Sequence, residues 1–164
     1  MLISGTNLLQ TSFEYPKDWG QGSRGCWSGG GSSNTTNTNN THYVTISTPG
    51  NSTNFGSVTT NLKKCAGASG RGRGLICGGS TNTTALNTIL YVTIATPAAA
   101  ASFGNMTTVR VNPQATSNGT RAIIIGGSLA YNAPNTLTSI DYIAIDGQPN
   151  AKSFGNTVNP QENS

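Results

Sequence analysis

Three segments of this chain can be laid over one another with their landmarks in the same order. The first runs RGCWSGGG from Arg24, then THYVTIST, then NSTNFGSVTT. The second runs RGLICGGS from Arg73, then ILYVTIAT, then AAASFGNMTT. The third runs RAIIIGGS from Arg121, then SIDYIAID, then NAKSFGNTV. Each carries an Arg, an apolar run, a Gly-Gly pair, a Tyr and a Phe-Gly pair. The Arg residues stand 49 and 48 positions apart, and the Phe-Gly pairs 48 and 51 apart. A period of this size marks stacked or radially arranged units, each too small to bury its own apolar face.

Spacing within the unit separates a rigid part from a variable one. Tyr43 to Phe55, Tyr91 to Phe103 and Tyr142 to Phe154 are each 12 residues apart, whereas the second Gly of the pair lies 13, 12 and 15 residues before the Tyr. The rigid part reads as a hairpin. Tyr43 to Ile46, Tyr91 to Ile94 and Tyr142 to Ile145 alternate with the period of a strand, Pro49-Gly50, Pro97 and Gly147 to Pro149 supply turns, and the strand ending in Phe-Gly returns. Segments 31–41, 80–89 and 128–139 read as polar surface loops. The pairs Gly29-Gly30, Gly78-Gly79 and Gly126-Gly127 close an apolar strand, where absent side chains admit close backbones and positive φ. Tyr43, Phe55, Tyr91, Phe103, Tyr142 and Phe154 are read as the repeat core, because a ring required at one place in every unit serves the packing between units. A fourth strand is expected between each Phe-Gly pair and the next Arg, at 65–70 and 111–119. The units are therefore bounded as 24–72, 73–120 and an incomplete 121–164, preceded by an arm or closing strand at 1–23.

Composition agrees with many short strands. Glu occurs only at Glu14 and Glu162, 9% of residues are charged, and Thr, Asn, Gly and Ser dominate. The competing reading of such a composition is disorder, and the ordered repeat argues against it. The net charge is +4. Lys63, Lys64, Arg71 and Arg73 cluster in sequence without interleaved aromatics, so a solvated loop is favoured and nucleic acid is not expected as a partner. Cys26, Cys65 and Cys77 form no CxxC, and His42 is the only histidine. Buried free thiols are expected, with no metal and no cofactor. There is no apolar run of about 18 residues to span a membrane, and no signal peptide is expected, since MLISGTNLLQ lacks a basic segment and a long apolar core.

These landmarks resemble kelch repeats, which also set a Gly-Gly pair at the end of an apolar strand, then a Tyr, then a large aromatic. Here the last aromatic is Phe rather than the usual Trp, and its distance from the Tyr is longer. A closer resemblance is to kelch-like repeat proteins in the virions of tailed phages, in RAIIIGG (121–127), IDYIAID (140–146) and SFG (153–155). The resemblance covers about residues 24–158. It implies an all-β fold of kelch-like β-propeller blades and a non-enzymatic virion structural protein, as capsid decoration or tail or fibre component, made in the host cytoplasm. The alternative is a module that binds carbohydrate or a host receptor, using loop Asn, Asp and Tyr131 against a surface polysaccharide. A copper oxidase of the galactose oxidase kind needs two histidines, and paired-carboxylate hydrolysis is poorly served by Asp141 and Asp146, five apart on an expected strand and so on opposite faces of it.

Propellers use about four to eight blades, and three repeats fall short. Closure is therefore expected through other copies of the chain, as a dimer forming a six-bladed ring or as a trimer, alongside other virion proteins. Residues 8–22 are candidates for the missing strand. Phe13, Tyr15, Trp19 and Trp27 are candidate assembly contacts, with capping of the first blade as the competing role.

Overall fold

The computed structural model describes residues 24–30, 38–130, 136–147 and 149–161. These form an all-β fold without helix, in three antiparallel sheets. The first sheet has the order β1-β2-β3, from Arg24–Ser28, Thr38–Thr45 and Thr53–Leu62. The second has the order β4-β5-β6-β7, from Ala66–Gly70, Arg73–Cys77, Thr88–Thr93 and Ala101–Asn105. The third has the order β11-β10-β9-β8, from Gln114–Ser117 (β8), Arg121–Ile125 (β9), Ser139–Ala144 (β10) and Lys152–Asn156 (β11).

Each repeat contributes the hairpin its spacing predicts, and the strand of the Tyr begins inside the expected loop, at Thr38, Thr88 and Ser139. The fourth strand exists but belongs elsewhere. Residues 66–70 and 114–117 each open the next sheet rather than close the preceding one. A two-residue turn explains the first case: Arg71 and Gly72 both take positive φ, 49° and 74°, the geometry that joins antiparallel strands most tightly. The unit boundaries at 73 and 121 therefore cut through hairpins. The third sheet has four strands, its edge supplied by β8 from before Arg121. Among the described residues it is the first sheet that has three, and segment 8–22, expected to supply a strand, lies outside the described residues.

The Phe-Gly pair has a structural cause. Register slips by one residue at each: Thr41 pairs with Gly56 and His42 with Asn54, Ile89 with Gly104 and Leu90 with Ser102, Ile140 with Gly155 and Asp141 with Ser153. In every repeat the Phe is the extra residue of a β-bulge.

Two cores fill the spaces between sheets. Phe55, Val58 and Leu62 of the first sheet meet Ile76, Leu90, Val92 and Ala100 of the second. Leu75, Cys77, Ile89, Phe103 and Met106 of the second meet Ala122, Ile124, Ile143, Ile145 and Ala151 of the third. The middle sheet is buried on both faces, so Leu75, Ile76 and Cys77 run apolar without alternation. Edge strands β4 and β8 lie side by side, where the Ser117 hydroxyl donates to Ser69 O.

Candidate functional site

The residues that recur most regularly converge on the junctions between sheets. Each Arg guanidinium sits over the ring of its own Tyr: Arg24 at 4.7 Å from Tyr43, Arg73 at 5.1 Å from Tyr91 and Arg121 at 4.7 Å from Tyr142. Each Tyr meets its Phe edge to face, with centroids 5.9, 5.7 and 6.1 Å apart. Such stacks contribute roughly 0.5–1.5 kcal/mol per contact beyond area burial. The Arg then reaches into the next repeat. Arg24 Nη1 donates to Ile94 O at 2.8 Å and Ala95 O at 2.7 Å, and Arg73 Nη1 to Ile145 O at 2.9 Å and Gly147 O at 3.1 Å. The Arg is thus a fastener between repeats. Its regular spacing was the available signal for that role.

Backbone contacts repeat as closely. Ala100 N donates to Ser57 O and Ala151 N to Asn105 O, both at 2.8 Å. Ser57 and Asn105 each stand two residues past the Phe, so the hairpin loop of one repeat seats on the Phe strand of the repeat before it. A Cβ on Gly56 would strike Ala98 O, and one on Gly104 would strike Pro149 O. The Gly-Gly pairs serve a contact within the repeat. Gly30 N donates to Leu62 O, Gly79 N to Arg110 O and Gly127 N to Gln161 O, each acceptor lying seven residues past the Phe. Both glycines of every pair have positive φ, and a Cβ on Gly29, Gly78 or Gly126 would collide with that same carbonyl.

No family model matches this chain, and no curated protein does.

The ionisable groups are bound into the packing. Arg110, fully buried, donates to Gly126 O, Ser139 O and Ser139 Oγ, and to Asp141 Oδ1 at 3.0 Å. Burial pulls its guanidinium below the usual value, and the Asp141 charge opposes that pull. Asp141 also accepts from Thr107 N and Thr107 Oγ1. Asp146 is exposed and lies 4.0 Å from Arg71. The three thiols are unpaired, Cys77 buried and Cys26 and Cys65 partly so. Burial raises all three, Cys77 to about 12 with a further push from Cys65, which keeps them protonated and poorly nucleophilic at neutral pH. Among the described residues no group of three or more His, Cys, Asp or Glu is placed to hold a metal. The basic stretch disperses: Lys63 is buried and its backbone pairs with Ser80, while Arg73 is a fastener.

The expected core rings do not share one environment. Phe55 and Phe103 are 2% and 3% exposed, but Phe154 is 54% exposed, so it is not a core residue of this chain. Trp27 is 46% exposed and stacks on His42 at 5.9 Å. Phe13, Tyr15, Trp19 and Tyr131 lie outside the described residues.

Proposed function

We propose that this chain is a non-enzymatic structural component of a tailed-phage virion, a capsid decoration or a tail or fibre part, whose sheets are kelch-like blades of a propeller completed by other copies. The observation that carries the assembly part is the unequal burial of one repeated ring. Phe55 and Phe103 are each covered by a following repeat, and Phe154, which no following repeat covers among the described residues, is open to solvent. The same ring is thus buried where a repeat follows and exposed where none is described, which is what an unfilled copy of that contact would leave. The non-enzymatic part rests on where the reactive groups go: the buried carboxylate is bound by Arg110 and Thr107, and the thiols are held protonated. The virion part rests on the resemblance of 121–127, 140–146 and 153–155 to phage repeat proteins. Antibody gold labelling, or cryo-microscopy of the purified particle, tests it: label on the head or tail supports the reading, and unlabelled particles from infected cells that contain the protein overturn it.

A second reading takes the exposed Trp27–His42 stack as a sugar-stacking platform on a host-recognition module. A glycan array in which binding is lost in Trp27→Ala would favour it over the first.

A further inference from the structure

We propose that the third sheet docks head to tail on the first sheet of a second copy, reusing the contacts common to the two interfaces inside the chain: the Arg fastener, the bulged Phe and the loop-to-strand bond. This rests on the reading of the sheets as blades in an array, and it names the partner, both faces and the bonds.

The internal interfaces define what each face must present. The leading repeat offers the residues at the positions of Leu75, Cys77, Ile89 and Phe103, and the trailing repeat those at the positions of Ile124, Ile143, Ile145 and Ala151. On the third sheet the leading positions are Ile123, Ile125, Ile140 and Phe154. Leu75, Cys77 and Ile89 are 2%, 0% and 0% exposed, whereas Ile123, Ile125 and Ile140 remain half-buried and Phe154 is open. On the first sheet the trailing positions are Trp27, Val44, Ile46 and Ser52. Ile145 is 0% exposed, Ile94 is half-buried and Ile46 is 69% exposed. Exposure thus rises toward opposite ends of the chain for the two halves of one contact. Each end displays the surface that the other end's equivalents bury.

The polar groups agree. Arg121 is exposed and poised over Tyr142 as the other two are over theirs, and no following carbonyl pair exists for it among the described residues. The carbonyls equivalent to Ile94 O and Ala95 O are those of Ile46 and Ser47, both exposed residues. Ala100 N and Ala151 N have their counterpart in exposed Ser52, and Ser57 O and Asn105 O theirs in Asn156. Gly155, unlike Gly56 and Gly104, would meet nothing within 4 Å if given a Cβ. A hollow of about 280 Å³ bordered by Val44, Thr48, Pro49, Gly50 and Asn51 lies at the receiving hairpin. The paired faces are different surfaces, so the contact is heterologous and gives a ring when its rotation closes, or a filament when it does not.

The test uses the full chain. Native mass spectrometry and sedimentation across a concentration series should show multiples of the 16.8 kDa chain, and Phe154→Arg should weaken association at least 100-fold with the melting of the dissociated chain unchanged. A Ser52→Cys chain mixed with an Asn156→Cys chain, treated with a short bis-maleimide and mapped by mass spectrometry, should yield 52–156 links between chains. A monomer at every concentration overturns the proposal, as does an oligomer insensitive to Phe154→Arg or one giving only 52–52 or 156–156 links. A monomeric chain found on the particle would sink the docking and leave the structural role standing. A head-to-tail oligomer absent from particles would do the reverse.

Discussion

Between the first and second sheets, the position seven residues past the Phe is Leu62, and it shares an apolar core with Leu90, the residue before the Tyr. Between the second and third sheets the same two positions are Arg110 and Asp141, paired at 3.0 Å and 0% and 1% exposed. A second exchange runs the other way. Ser28 and Thr41 share a hydroxyl hydrogen bond of 2.9 Å in the first interface, where Cys77 and Ile89 are simply apolar in the second. Around both, the fasteners, the bulged Phe and the loop-to-strand bond are the same. The frame of the interface therefore accepts either an apolar or a hydrogen-bonded polar pair at a given position.

The ion pair gives the most direct way to break this equivalence. Asp141→Ala leaves Arg110 charged and buried beside a vacancy, and should cost about 3–5 kcal/mol in denaturant unfolding. A cost below about 1 kcal/mol would mean that the pair does not hold the interface. On the apolar side, Leu90→Ala should cost about 3 kcal/mol by the same measurement, from lost transfer energy and the cavity left behind. Converting one interface to the other is the sharper test. The double substitution Arg110→Leu with Asp141→Leu should recover part of the Asp141→Ala loss, since it removes the unpaired buried charge while Thr107 N and Gly126 O still lose their partners. A double variant as unstable as Asp141→Ala would show that the two interfaces are not interchangeable. Smallest is Arg73→Lys, expected to cost about 1 kcal/mol, because an ammonium keeps the charge but loses the planar fork that stacks on Tyr91 while reaching two carbonyls. Thermal melts that place this variant level with the parent would remove the fastener role.

Much of the frame was legible in the sequence. The constant distance from Tyr to Phe sets a hairpin, the recurrence of Arg, Gly-Gly, Tyr and Phe-Gly sets the repeat, and β-branched residues in alternation set the strands. Two things were not legible. The sheet to which 66–70 and 114–117 belong depends on turn geometry, since Ala66 to Gly70 has no side chain large enough to declare a face. The Arg110–Asp141 pair breaks the internal pattern, and a charge standing where the other repeat has Leu reads as solvent-exposed until its partner across the gap is known. The core assignment of Phe154 failed for a different reason: burial of that ring comes from the following repeat, a property of the neighbour and not of the local sequence.

The central claim is that one interface geometry joins every repeat, within the chain and between copies. Amide hydrogen exchange followed across a concentration series reads both uncovered ends at once. If the claim holds, the amides of 44–52 and 152–156 slow together as concentration rises through assembly, Ser52 among the most protected, while 92–100 and 101–105 are already slow at the lowest concentration. Exchange at 44–52 and 152–156 that stays fast at every concentration, or slows at one segment alone, would contradict it.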